Sequence, residues 1–172
     1  MDTVYKIKKS TKIPMSLAVI LSIPVFYNVF STGVSTKIMV ITIILIAMFY
    51  LLTLNNLIKR VVMDKDSIAI RSILGVRHIL FEDIDLVDGA TMGTRQFITI
   101  SSKKKNHLVA NSFDGFSNLI SRVMEMTDEE IQGEGLRLIA ENTVNRKSDA
   151  TGAWITVILL LIIIVLRFFP FL

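Results

Sequence analysis

The sequence predicts an α+β membrane protein, in which an N-terminal hairpin of two transmembrane helices and a C-terminal transmembrane helix flank one β-rich, water-soluble domain. Three observations carry that expectation. Hydrophobic residues make up 52% of the 172 and the mean hydropathy is +0.58, too apolar for an ordinary soluble chain. The apolar excess is gathered into three runs, Ile13–Phe30, Ile38–Ile58 and Ala153–Leu172. After Lys59 the pattern changes to short stretches of alternating apolar and polar residues divided by turn residues, the period-2 signature of half-buried strands.

The first run is the shortest, and its ~18 residues at 1.5 Å each reach ~27 Å, enough for a thin hydrocarbon core. It carries Pro14, Pro24 and Asn28. A membrane helix tolerates proline where a neighbour satisfies the freed carbonyls, so a packed partner is expected in the second run, reached through the polar loop 31–37. The first run has the basic flank of a signal peptide, but no small-residue cleavage site follows it, and it is read as retained. In the third run Trp154 suits the near interface, and Arg167 is placed to snorkel to the far one.

A sequence pI of about 9.4 invites a nucleic-acid reading, which the distribution of charge removes. Residues 61–150 hold eleven Lys and Arg against fourteen Asp and Glu, whereas the rest of the chain holds eight against Asp2 alone. The basic excess thus belongs to the flanks of the apolar runs, where it meets phospholipid head groups, and no nucleic-acid partner is expected. Lys6, Lys8, Lys9, Lys12, Lys59, Arg60, Arg146 and Lys147 lie on one side of the runs, and only Lys37 and Arg167 on the other. That asymmetry places the N-terminus and the 59–152 segment in the cytoplasm and the C-terminus outside, in a multi-pass protein of the cell membrane.

Within the soluble segment, residues 59–63 read as a strand and Asp64-Lys65-Asp66 as a turn. Ile68, Ile70 and the rest of 67–73 alternate as a second strand. Leu74-Gly75 turns the chain, glycine supplying positive φ, and 76–81 returns. Residues 84–87 begin the next strand, Gly89 and Gly93 break a loop around Thr91-Met92, and 97–101 and 107–110 are strands joined by the tip Ser102–Asn106. Ser112 is expected to cap a helix whose stripe is Phe116, Leu119, Ile120 and Val123. Thr127-Asp128-Glu129-Glu130 has capping-box spacing, so a further helix should start there, weakened by Gly133 and Gly135. The expected organisation is 1–58 membrane hairpin, 59–126 β-rich domain, 127–150 helix and linker, and 151–172 final span.

The run RVVMDKDSIAIRSILGVRHILFEDIDLV resembles the opening of the bacterial pleckstrin-homology-like (PH-like) domains found in small membrane proteins, through Asp66, Ile68, Ile70, Gly75, Ile79, Asp83, Ile84 and Val87. The likeness extends over residues 59–126. It implies a cytoplasmic PH-like bent antiparallel sheet or partial barrel, closed by one helix around Phe113–Met126, acting as a scaffold for oligomerisation or partner binding. Phosphoinositide binding is not carried over, because the first hairpin tip, Asp64-Lys65-Asp66, is net negative. The third span and the 127–147 segment depart from the hairpin-plus-domain pattern.

Two groups of residues stand out as sites. Lys103, Lys104, Lys105 and His107 form a hairpin tip able to contact anionic lipid, with a solvated turn as the alternative. Arg71, Arg77 and His78 could line an anion pocket, although Arg71 could instead pair with Glu82 or Asp85. The acids Glu82, Asp83, Asp85 and Asp88 match no calcium loop, so no metal is expected. With no cysteine, two histidines, no phosphate-binding loop and no hydrolase motif, no catalytic residue, cofactor or small-molecule substrate is expected. The expected function is a non-enzymatic, membrane-anchored interaction or scaffold protein, with a protein partner or self-assembly and membrane lipid as partners. Lipid sensing, or service as an accessory subunit of a transporter or envelope complex, are the alternatives.

Overall fold

Strand pairing begins before the first apolar run, at a place where only a basic flank was expected. A computed structural model describes residues 3–33, 35–103, 105–144 and 148–168, with 148 and 149 as backbone. Lys104, Arg146, Lys147 and the last four residues of the third span lie outside the described residues. The chain divides into two units, one of residues 1–8 and 59–147, the other of 9–58 and 148–172.

The helical unit contains α1 (Lys9–Ser31), α2 (Thr36–Ile58) and α5 (Ser148–Phe168). All three are long and apolar enough to cross a membrane, and the chain is a membrane protein on that ground. α1 packs more extensively along α5 than along α2, so its chief partner is the C-terminal helix and not the hairpin neighbour. On α1, Pro14, Ala18 and Ser22, four residues apart, are buried. Small residues at that spacing let two helices approach closely in lipid, where dispersion and not hydrophobic exclusion holds them. Ser22 shares a 2.8 Å hydrogen bond with the Tyr50 hydroxyl of α2. Arg167 Nε donates to Asn28 Oδ1 at 2.8 Å, so the far-end cation finds a partner on α1.

The mixed unit holds β1 (Thr3–Lys6), β2 (Arg60–Met63), β3 (Ser67–Ser72), β4 (Gly75–Leu80), β5 (Ile84–Met92), β6 (Arg95–Ser102), β7 (Lys105–Ala110), α3 (Phe116–Met126) and α4 (Glu134–Glu141). The strands form two antiparallel sheets, β1-β2-β3-β4 and β5-β6-β7. The expected single bent sheet is therefore divided, since β4 and β5 follow one another through a 3₁₀ turn at Phe81–Asp83 without pairing, and no closed barrel forms among the described residues. β1 and β2 are direct neighbours, so the connection between two paired strands is the entire α1–α2 hairpin. β1 is earned by its alternation, with Tyr5 and Ile7 in the core; Arg122 of α3 also donates to the Thr3 hydroxyl.

Both sheets face one core of Val61, Met63, Ile68, Ile70, Ile79, Val87, Ile98, Ile100 and Val109, with α3 laid against it. The four stripe residues of α3 are all buried, each contributing about 2 kcal/mol of apolar transfer. Ser112 does not cap this helix. Its carbonyl accepts the Lys8 N–H, and α3 starts later, after Gly115 at φ 66°, a left-handed position that suits glycine. The stretch around Gly89 is not a loop: β5 runs on to Met92 and turns through Gly93 directly into β6. The acids at 128–130 begin only a 3₁₀ turn, Glu129–Ile131, and the helix proper starts at Glu134. Leu136 and Ile139 bury its apolar face in the common core, so 127–144 packs in the same unit as the strands.

Candidate functional site

The inward-facing series along two strands ends in basic residues. On β4, Ile79 is buried against Ile68, and two positions earlier Arg77 stands in register with the core residue Ile70. On β7, Val109 is fully buried, and two positions earlier His107 stands opposite Ile100. Residues two apart share a sheet face, so a guanidinium and an imidazole continue the face that the isoleucines and valine seal.

Between them lies an open groove of about 670 Å³. Arg77, His78 and Ile79 of β4 form one side, and Ser102, Lys103, Lys105, Asn106 and His107 of the β6–β7 hairpin form the other, with Asp83 at one end. Residues of two groups that the sequence left separate, Lys103, Lys105 and His107 on one side and Arg77 and His78 on the other, thus line the same depression. Arg71 does not join them. It sits opposite Arg60 and Val76 in register, on the other face of the sheet, and forms no ion pair with Glu82 or Asp85.

The hairpin turn is held by two of the acids. Lys103 takes φ 48°, its Nζ lies 2.7 Å from Asp83 Oδ2, and its backbone N–H donates to Asp85 Oδ2 at 2.9 Å. Asp85 falls at the register shift between Ile84 and Leu86, which turns its side chain toward the hairpin. The hydrogen bond to Asp83, with the attraction of Asp83 behind it, raises the Lys103 pKa above its ordinary value. Lys103 and the carboxylate at the groove's end therefore neutralise each other.

The remaining cations have no such partner. Among the described residues, neither Arg77 nor Lys105 is in an ion pair. His107 is only 8% exposed, and its pKa is lowered, first by desolvation and then by the positive charge of Arg77 and Lys105. A neutral imidazole between two cations, beside the outer edges of β4 and β7, makes a place for an anionic or hydrogen-bond-accepting group. No cluster of three or more His, Asp or Glu able to hold a metal ion occurs among the described residues.

The helical unit has its own cavity of about 330 Å³, lined by apolar residues such as Phe26, Leu45 and Phe49. Its buried serine, Ser22, is already bonded to Tyr50, which leaves it suited to hydrocarbon. Sequence reasoning missed Gln96 and Asn111, polar residues buried in the domain. Gln96 donates to the Asn142 carbonyl and accepts the Val144 N–H, and Asn111 donates to the Thr94 and Val144 carbonyls. Both tie the end of α4 to the β5–β7 sheet. No protein-family model, curated protein or solved structure matches the chain.

Proposed function

We propose that the chain is a membrane-anchored interaction module, non-enzymatic, whose mixed domain faces the cytoplasm and takes an acidic segment of a partner protein in the groove between β4 and the β6–β7 hairpin. One observation carries the reading: Arg77, Lys105 and His107 converge on an open groove with no carboxylate among the described residues left to answer them. Cations of this kind are arranged at interfaces to select and steer an oppositely charged partner. The free edges of β4 and β7 add main-chain groups that an extended segment can pair with. The resemblance to PH-like scaffolds belongs to the same proposal, supported by seven antiparallel strands in sheets of four and three with α3 across their core. The lipid-contacting reading of the lysine tip is weaker, because Lys103 is engaged by Asp83.

A photo-crosslinking residue decides between them. Placed in the full chain in its native membrane as His78→p-benzoylphenylalanine, it is expected to give discrete protein adducts that disappear when Arg77→Glu and Lys105→Glu are added. The same residue at Ser121, on the exposed side of α3, is expected to give none. Adducts equal at both positions, or absent from the groove, would overturn the proposal.

A further inference from the structure

Lys6, Arg60 and Arg71 stand opposite one another across β1, β2 and β3, and register partners project from the same face of a sheet. All three are exposed, and among the described residues none is in an ion pair. Like charges in direct register are destabilising, and Asp114, which lies beside Lys6, makes no ion pair with it among the described residues, so an anionic counterpart outside the chain would relieve the row. Val76 of β4 completes the row. Beyond it the β3–β4 hairpin tip is apolar: Ile73 is 40% exposed and Leu74 86%, the highest value of any large hydrophobic residue described. A scattered exposed leucine needs no account. A leucine on a hairpin tip, flanked by Arg71 and Arg77 and set beside a cationic row, combines an apolar wedge with a basic rim, the composition of an interfacial anchor.

The register also fixes which end of the sheet carries this surface. β1 ends at Lys6, shortly before α1 begins at Lys9, and β2 begins at Arg60, just after α2 ends at Ile58. Lys6 and Arg60 are register partners, so the chain leaves the sheet for α1 and returns from α2 at one end. Arg71, one strand spacing of about 5 Å from Arg60, lies at that same end, and the tip extends past it at about 3.3 Å per residue. The opposite end of the sheet carries the exposed, net acidic turn Asp64-Lys65-Asp66. The sheet is thus polarised, basic and apolar where the chain enters its membrane helices and acidic at the far end.

We propose that the Lys6–Arg60–Arg71 row and the Ile73-Leu74 tip dock on an anionic bilayer surface, the row taking lipid phosphates and the tip entering the head-group layer. A second copy of the chain is a poorer occupant, since a two-fold contact would bring six cations together. The inference does not depend on what the groove binds.

The chain has no cysteine, so Leu74→Cys offers a single site for an environment-sensitive fluorophore in the full-length protein. One copy per nanodisc is compared in phosphatidylcholine alone and with phosphatidylglycerol added, with Lys65→Cys labelled as the control at the opposite end. The label at 74 is expected to shift to the blue and to be quenched by a shallow spin-labelled lipid in the anionic discs, and much less in neutral ones. The label at 65 is expected to remain water-exposed in both. Arg71→Gln should lower the docked-to-free ratio about fivefold. Raising salt from ~0.1 M to ~1 M, which shortens the screening length from about 10 Å to about 3 Å, should release the tip. A label at 74 as wet as that at 65 in anionic discs, or one indifferent to lipid charge and salt, would overturn the proposal, as would shielding that appears only with two chains per disc. Should Arg71→Gln fail to fold, the lipid-charge and salt series on the otherwise unaltered protein decides the matter alone.

Discussion

The two flanks of the domain's interior follow the same strand alternation and end in opposite ways. Along β5 the inward series reaches Gly89, and there the main chain of 132–135 closes over the sheet. Gly133 N–H donates to the Val87 carbonyl at 2.8 Å, and Val87 and Gln132 form an isolated parallel bridge. Along β4 and β7 the inward series reaches Arg77 and His107, and there the interior stays open as a groove. An inward position held by glycine lets backbone seal backbone, whereas one held by a cation keeps neighbouring chain away and leaves room for something else. Stability should therefore be concentrated at the sealed flank, and substitutions at the open flank should change binding with little cost to folding.

The sealed flank can be broken most severely at Gly135. A side-chain carbon there would lie 2.0 Å from the Gly89 carbonyl oxygen, and one at Gly89 would lie 2.5 Å from the Gly135 oxygen. Neither obstacle is a movable side chain. Gly135→Val is expected to cost about 3 kcal/mol or more, the upper range for forced overpacking, read as a lowered urea midpoint of domain unfolding by pulse proteolysis. A variant with an unchanged midpoint would show that α4 is not held against β5 by this contact.

Gln96→Ala tests the same flank more gently. The Gln96 side chain is 2% exposed and satisfies the Asn142 carbonyl at 2.7 Å and the Val144 N–H at 2.8 Å. Its removal strands both main-chain groups, at a cost of about 2 kcal/mol. Hydrogen exchange sharpens the assignment: protection is expected to fall first around residues 139–144 and only afterward in β1–β4, because the lost bonds hold the end of α4.

These contacts explain why some of the molecule was legible in the sequence and some was not. The three spans, the strands β2, β3 and β4 and the α3 stripe all rest on a single local period, and each lies close to where that period puts it. Residues 84–101 hid more, because Gly89 read as a strand breaker, while its role is to admit the backbone of residue 135, far off in sequence. Gly133 and Gly135 misled for the same reason, seeming to weaken a helix when their lack of side chains is what docks it. β1 was overlooked because Lys6, Lys8 and Lys9 advertise a membrane flank, although Tyr5 and Ile7 already alternate with them. At the groove, the residue types were visible but their convergence was not. Arg77 and His107 are 30 positions apart and meet only once two sheets face each other, and nothing local distinguished Arg71 from Arg77.

The open flank yields the smallest effect and the most specific one. His107 carries a pKa lowered from 6.5 by desolvation first, then by Arg77 and Lys105. Between the lowered value and 6.5 the unfolded chain binds more protons than the folded one, so stability rises with pH across that window. This contribution is complete above about 6.5 and is lost as pH falls through the folded-state value. Arg77→Ala removes one of the two cations, so the His107 midpoint should move up toward 6.5 and the window should narrow. Stability near pH 8, where the imidazole is neutral either way, should change by no more than about 0.5 kcal/mol, as for other partnerless surface positions. With only two histidines in the chain, the His107 imidazole resonance can be followed by NMR, His107→Gln identifying it. A His107 midpoint not below 6.5, or one that Arg77→Ala leaves in place, would mean that the guanidinium does not face the imidazole across the groove, and the contrast between a sealed and an open flank would fail at its open side.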